Sequence, residues 1–309
     1  MRAMKASVRR SQGRWERAGA PQRPVLFINP RSGGGKAGRV HLDEAAQERG
    51  IQPVVLTPGD HLDALVEQAV AAGADALGMA GGDGSLAVVA AAALAHALPF
   101  VCVPAGTRNH FARDLGVPPD DLIGALDAFT DALERRIDVG DVNGHPFVNN
   151  VSLGIYGAAV QRASYRSAKA RTLFETAAAV LGPSAELPAV RLVDDLGLAH
   201  SDPAVVLVSN NPYSLERPPA PGMRPELDSG QLGVLVLSRP RVARHGPGRG
   251  WTARSLRVEA AQPVAVGVDG EALRLAAPLN FTIRPRALRV RIAVSHARRR
   301  RRDAQQLAG

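Results

Sequence analysis

The chain is poor in aromatic residues, with Phe, Trp and Tyr together at 4% of 309 positions. Its cores must therefore be built chiefly from Ala, Val and Leu. A single cysteine, Cys102, rules out an internal disulfide. Lying in the apolar run Phe100 to Val103, it reads as a buried thiol of a reducing compartment. The first twenty-three residues are basic but contain no apolar stretch of the kind a signal peptide needs. Leu86 to Val103 is free of formal charge and nominally long enough to span a bilayer. It is mostly alanine, carries His96 and is interrupted by Pro99, so a helix followed by a strand is the better reading. A soluble, cytoplasmic protein is expected.

Net charge is also missing from most of the chain. The formal net charge is +9, yet residues 1–23 account for +6 and residues 298–309, with five consecutive arginines from Arg298 to Arg302, for +4. Residues 24–297 are left at −1. The basicity belongs to two segments expected to be disordered tails, which would bind anionic surfaces and hold the protein peripherally at the inner membrane face. Only Trp15 is interleaved with the basic residues of these segments and no nucleic-acid module is present, so specific nucleic-acid recognition is not expected.

Glycine is where the sequence becomes informative. Gly81-Gly82-Asp83-Gly84-Ser85 follows the apolar run Ala76 to Ala80 and opens an alanine-rich helical run from Leu86 to Ala97. That is a strand, a glycine turn with one carboxylate, and a helix N-terminus whose unpaired N–H groups favour an anion. A lone Asp repels phosphate unless a divalent cation or a transferable proton lies between them. A second turn, Asn29-Pro30-Arg31-Ser32-Gly33-Gly34-Gly35-Lys36, is not a Walker A loop, because Ala37 follows the lysine and the glycine spacing differs. Strands at Val25 to Ile28, Gln52 to Leu56, Asp75 to Met79 and Phe100 to Val103 alternate with helical runs at Val40 to Arg49 and His61 to Ala72. This predicts a doubly wound parallel sheet, and the loops starting at Asn29, Thr57, Gly81 and Pro104 all fall at its ligand-binding carboxyl end.

The fourth of these loops reads Pro104-Ala105-Gly106-Thr107-Arg108-Asn109-His110. Together with Asn29-Pro30-Arg31-Ser32-Gly33 and Gly81-Gly82-Asp83-Gly84-Ser85, in that order, it resembles the diacylglycerol kinase catalytic-domain family, which includes sphingosine kinases and bacterial lipid kinases. The resemblance spans residues 24–292. It implies ATP and Mg²⁺ as cofactors and a lipid as second substrate. Gly33, Thr57, Gly82, Asp83, Gly84, Ser85 and Thr107 would hold nucleotide and metal, with Asn29, Pro30, Arg31, Ser32, Gly81, Gly106 and Asn109 completing the loops. Two departures stand out: Ser85 replaces the usual threonine, and His110 replaces an aspartate.

Beyond a helical run from Asp120 to Leu133 the period changes. Arg135 to Val142 and Pro146 to Val151 flank Asn143-Gly144 as a hairpin. Short runs follow at Val190–Val193, Val205–Ser209, Leu232–Leu237, Val264–Val268, Phe281–Ile283 and Leu288–Ile292, with one helix at Tyr165 to Leu181. A β-sandwich is expected. The expected domains are residues 24–136 for nucleotide and 137–297 for lipid, with loops Arg217 to Pro225 and Pro240 to Gly250 read as mobile. By itself, Asp269-Gly270-Glu271 is an ordinary hairpin turn. The resemblance makes Glu271 the proton acceptor, with Asp269 as its rival, and implies an accessory Mg²⁺ site over Glu226, Asp228, Ser229 and Gln231, where Ser229 replaces an aspartate. Asn149, Asn150, Asn210 and Asn211 read as turn or capping amides. The expected activity is transfer of the ATP γ-phosphoryl group to diacylglycerol or a related lipid. An NAD kinase-like acceptor and a non-catalytic nucleotide- or lipid-binding protein are the alternatives, and a homodimer is left open.

Overall fold

The computed structural model describes residues 14–154, 190–201, 203–214, 223–238 and 248–299. The helix expected at Tyr165 to Leu181 lies outside the described residues. After an unexpected short strand β1 (Glu16–Ala18), the first half alternates as expected: β2 (Pro24–Ile28), α1 (Lys36–Arg39), α2 (Leu42–Gln47), β3 (Gln52–Val55), α3 (Leu62–Ala71), β4 (Ala76–Ala80), α4 (Asp83–Ala95), β5 (Phe100–Val103), α5 (His110–Leu115) and α6 (Leu122–Leu126). Strands β2, β4 and β5 are buried at every residue, as parallel strands covered on both faces must be. They pair in parallel in the order β5-β4-β2-β3. The order reverses after β3, so right-handed crossovers place the helix before the reversal on one face and α3 and α4 on the other. Accordingly α3 packs on α4, and α2 on α6.

The second half is β6 (Ala132–Val142), β7 (His145–Phe147), β8 (Asn150–Gly154), β9 (Val190–Asp194), β10 (Ala199–Ser201), β11 (Pro203–Asn210), β12 (Leu232–Ser238), β13 (Gly248–Ala253), β14 (Ser255–Ala260), β15 (Val264–Val268), β16 (Glu271–Leu275) and β17 (Leu279–Ala293). Six of these strands form an antiparallel sheet in the order β13-β12-β11-β8-β15-β16. Its inner face packs on β9, β14 and the start of β17 through Leu192, Val208, Val234, Leu256, Val266 and Phe281, which is the expected sandwich.

The two halves share a sheet. β17 pairs in parallel with β5 and antiparallel with both β6 and β14. Its Leu288, Val290 and Ile292 enter the first core, while Leu279 and Phe281 enter the second. What reads in sequence as two strands interrupted by Pro285 is one strand with a register shift between Arg284 and Leu288. The division expected at Ile137 cuts β6, another strand serving both cores. The described phenylalanines are committed to these cores: Phe27, Phe100, Phe111 and Phe129 in the first, Phe147 and Phe281 in the second, all essentially inaccessible.

Several local expectations are corrected. The helical run from Asp120 to Leu133 ends at Leu126, followed by a short 3-10 turn at Asp127–Phe129 and then β6. Residues 14–23 are not a loose tail, because β1 pairs with β6 and the Gln22 and Arg23 amides donate to Asp75. At the other end, residues 294–299 are helical, and His296 Nε2 lies 2.9 Å from Asp121 Oδ2.

In the β6–β7 hairpin, Gly140 faces Phe147 so closely that a Cβ would collide with the ring itself. Phe147 is buried and has no space into which to retreat. Gly140→Ala is expected to cost about 1–3 kcal/mol, the usual range for overpacking, read as a lower urea midpoint with an unchanged m-value.

Candidate active site

The three motif loops meet backbone to backbone at the carboxyl end of the parallel sheet. A Cβ on Gly33 would collide with the Ala105 carbonyl, and its φ of +56° is itself left-handed. A Cβ on Gly106 would lie 2.9 Å from Gly82 Cα and 3.0 Å from the Gly81 carbonyl. Glycine at these positions is what lets the Asn29, Gly81 and Pro104 loops touch without intervening side chains. Asn109 locks the third loop from beneath: it is buried, and its Nδ2 donates to the Pro104 carbonyl at 2.9 Å. Asn29 stabilises the first, with Oδ1 accepting from the Arg31 amide at 3.1 Å.

Asp83 begins α4, whose N-cap Gly82 offers no side-chain acceptor. The first-turn amides of this 13-residue helix therefore have no side-chain cap, with a half-buried carboxylate among them. Ser85 is half-buried in the same turn, while Thr107 is exposed. Thr57 is exposed as well, its N–H and Oγ1 both donating to Asp60 Oδ2 at 2.6 and 3.0 Å. His110 remains accessible at its surface. The protein around its imidazole nonetheless lowers its pKa below the ordinary histidine value, against the opposing pull of Asp83 and Asp114.

Behind this surface lies a buried ionic cluster. Arg224, 1% exposed, donates from Nε to Asp114 Oδ2 at 2.8 Å and from its main-chain N to Asp114 Oδ1 at 2.9 Å. Its Nη1 donates to the carbonyls of Val148, Asn149 and Asn210, and its Nη2 to Asn149 Oδ1 and Asp114. Asp269, also buried, takes the amides of the same segment, accepting from Val148, Asn149 and Asn150 at 2.8, 2.8 and 2.9 Å. Residues 148–150 are thus held by a cation on their carbonyls and an anion on their amides. Burial pushes the Asp269 carboxyl up to about 6, against the downward pull of these amides and of Arg224. Arg224 lies in a stretch expected to be a mobile loop; it is instead among the most deeply buried residues.

The expected site residues therefore separate. Asp269, the rival base, is buried with both carboxylate oxygens engaged, so it positions the 148–150 segment. Glu271 is exposed at the start of β16, two residues on. Asn210 and Asn211 are buried, Asn210 Nδ2 donating to the Asp138 carbonyl at 2.8 Å, and Asn150 Nδ2 bonds the Tyr213 hydroxyl. The accessory cation site does not fit the residues present. Asp228 accepts from Arg135 Nη2 at 3.3 Å in a buried pair, and Ser229 donates its N–H and hydroxyl to Asn211 Oδ1. Gln231 offers its carbonyl to Ser229 at 3.4 Å, and Glu226 is exposed. The nearby Asp138 carboxylate is likewise engaged, by the Gly230 and Arg286 amides. A hard cation needs converging oxygens with free lone pairs, and here an arginine already neutralises the carboxylate. Among the described residues no group of three or more His, Cys, Asp and Glu is placed to hold a metal. For the nucleotide-bound ion the requirement is lighter, since one carboxylate plus phosphate oxygens suffices, and Asp83 fits it.

The family model for the diacylglycerol kinase catalytic domain matches residues 23–142. A diacylglycerol kinase of Mycobacterium tuberculosis is 35% identical over 122 residues, which are 38% of this chain and 40% of that protein; the match thus spans well under half of that relative. A Pseudomonas aeruginosa protein named as a YegS-like lipid kinase is 30% identical over 291 residues, 87% of this chain and 93% of that protein. A crystal structure of a diacylglycerol kinase from Bacillus anthracis superposes with a TM-score of 0.62 at 18% identity, covering 89% of this chain and 98% of that one, which speaks to the fold alone. The chain belongs to the diacylglycerol kinase catalytic-domain family. Within it, the match to the YegS-like lipid kinase runs through both halves of the molecule.

The Arg224–Asp114 pair yields a prediction about stability. Arg224→Met leaves the Asp114 charge buried without its partner and is expected to cost about 3–5 kcal/mol. The double variant Arg224→Met/Asp114→Leu is expected to lose less than the sum of the two single variants, measured as a double-mutant cycle by urea unfolding.

Proposed function

We propose that the protein is a lipid kinase that transfers the γ-phosphoryl group of ATP, with Mg²⁺, to a hydroxyl of diacylglycerol or a related lipid. The observation that carries this reading is the convergence of three glycine loops, backbone against backbone, around the uncapped N-terminus of α4 with Asp83 in its first turn. Phosphoryl transfer asks a protein mainly to position groups and to neutralise charge. The glycine loops let phosphates approach main-chain amides, and the α4 amides favour anionic oxygens. Bound at Asp83, Mg²⁺ would neutralise the β- and γ-phosphate oxygens.

On the acceptor side, Glu271 is the carboxylate left accessible to take the proton of an attacking hydroxyl. Asp269 and Arg224 hold the adjoining segment rigid. A cavity of about 300 Å³, lined by Tyr213, Val234, Leu235 and Trp251 among others, adjoins this cluster, since Arg224 lies 5.9 Å from the Tyr213 ring centroid. Its aromatic and aliphatic lining suits part of an acyl chain. The protein would meet its lipid at an anionic membrane surface, drawn there by the basic segments at residues 1–23 and 298–309. No described helix is long and apolar enough to cross a membrane.

Two variants test the assignments, alongside incubation of the purified protein with labelled ATP, Mg²⁺ and a panel of lipids, NAD and no acceptor. Asp83→Asn is expected to lower turnover by ~10²-fold or more, the scale of one lost electrostatic group, with the unfolding midpoint unchanged; near-normal turnover removes Asp83 from the metal. Glu271→Gln is expected to lower kcat while the KM for ATP stays within about two-fold. A Glu271→Gln enzyme with unaltered kcat rules out this carboxylate as the base. Phosphorylation of NAD rather than lipid, or no transfer at all, would select one of the alternative readings.

A further inference from the structure

A second concave site lies away from the glycine loops, where β1 pairs with β6 and β6 in turn pairs with β17. It has a volume of about 420 Å³ and is lined by seven arginines and two glutamates, with Ala18 and Gly19. β6 supplies Arg135 and Arg136, β17 supplies Arg289 and Arg291 among others, and Arg14 and Arg17 come from the segment around β1.

The internal carboxylates do not balance this charge. Arg289 and Arg291 share one partner, Glu134, at 2.7–3.0 Å. Arg17 reaches Asp131 at 2.9 Å in a solvent-exposed pair, and Arg135 reaches Asp228. Granting Arg17, Arg135 and Arg286 their neighbours Asp131, Asp228 and Asp138, and setting both lining glutamates against the rest, two positive charges remain. The register adds a second observation: Arg136 stands directly across from Arg289 on the neighbouring strand. Like charges directly opposite on adjacent strands are unfavourable, and a concave surface with an excess of positive charge concentrates the potential further. A doubly charged oxyanion seated between them relieves both. Guanidinium forks match phosphate oxygens two at a time, and the volume falls in the usual range for small ligands.

We propose that this groove binds a phosphate group through Arg136 and Arg14 together with Arg289, as a site distinct from the nucleotide loops. The same chemistry could be supplied by a soluble phosphorylated molecule or by the headgroup phosphate of an anionic lipid. The proposal stands independently of the kinase reading.

The test uses the full chain with a non-hydrolysable ATP analogue saturating the glycine loops. Inorganic pyrophosphate is titrated calorimetrically, and co-sedimentation with phosphatidylglycerol vesicles is compared with phosphatidylcholine vesicles. Arg136→Glu places an acid opposite Arg289 and does not threaten the sheet, while Arg14→Glu alters an exposed residue. Each is expected to weaken pyrophosphate binding at least ten-fold, whereas Arg249→Glu, exposed on β13 and outside the groove, leaves it unchanged. A parallel loss of binding to phosphatidylglycerol vesicles identifies a lipid headgroup as the source; loss of pyrophosphate binding alone identifies a soluble phosphate. The site is overturned if the wild-type protein takes up no pyrophosphate under these conditions. It is equally overturned if neither groove variant changes that binding, or if only vesicle binding falls.

Discussion

The Arg224 guanidinium is the point on which the two halves of this molecule depend. One buried cation joins α5, the helix that carries the third glycine loop, to β11 and to the segment entering β8 in the sandwich. A buried ion pair is seldom a net source of stability, because desolvation offsets most of the Coulomb gain. Its value here is geometric. The fork accepts no substitute arrangement: five N–H groups point in fixed directions, and each finds a carbonyl, an amide oxygen or the Asp114 carboxylate. Asp269 takes the amides of Val148 and Asn149, whose carbonyls Arg224 binds, so two peptide groups just outside β8 are satisfied at both ends. Because the Asp269-Gly270-Glu271 turn is tied into this cluster, the exposed Glu271 is carried on a rigid mount.

The glycine loops solve a different problem. Phosphates need main-chain amides at close range, and side chains on the loops would hold them apart. The contacts of Gly33 with Ala105, and of Gly106 with Gly81 and Gly82, remove that obstacle and make the three loops one continuous backbone surface. Charge is then supplied sparingly, by Asp83 in the first turn of α4. His110 sits close enough to feel Asp83 and Asp114, so the departure from aspartate at this position changes the electrostatics beside the glycine loops rather than on a remote surface.

Much of this was legible in the sequence because it rests on local chemistry. Apolar runs bounded by glycine and proline located β2, β4, β5, β11, β12 and β15, and strand–turn–helix punctuation located the loops. Three kinds of feature were not legible. Short polar strands such as Glu16–Ala18 take their structure from the neighbour they pair with, and nothing in Glu-Arg-Ala announces it. The continuity of β17 is hidden by Pro285, since a proline ordinarily ends a strand unless the backbone bulges around it. The Asp114–Arg224 pair joins positions 110 apart. One hint existed: Asp114 is three residues after Phe111 on a helix and so falls on the same buried face. Arg224, in a Pro/Gly/Arg-rich stretch, carried no such mark. The accessory cation site failed for a similar reason, because the carboxylate pattern near Gly230 was visible and the arginine reaching it from β6 was not.

The pairing of β17 with β5 also bears on how the chain is made. Val101 and Arg291 are register partners 190 positions apart, so a ribosome delivers β2 to β5 long before the strand that completes their sheet. Until then β5 presents an open edge, buried side chains on both faces, and a row of unpaired amides and carbonyls. Contacts of such sequence separation close slowly because the intervening chain must first be ordered. Production of this protein in the cell should therefore be limited by the interval between emergence of the first glycine loops and arrival of the last strand, when the nascent first half is most exposed to chaperones and to aggregation.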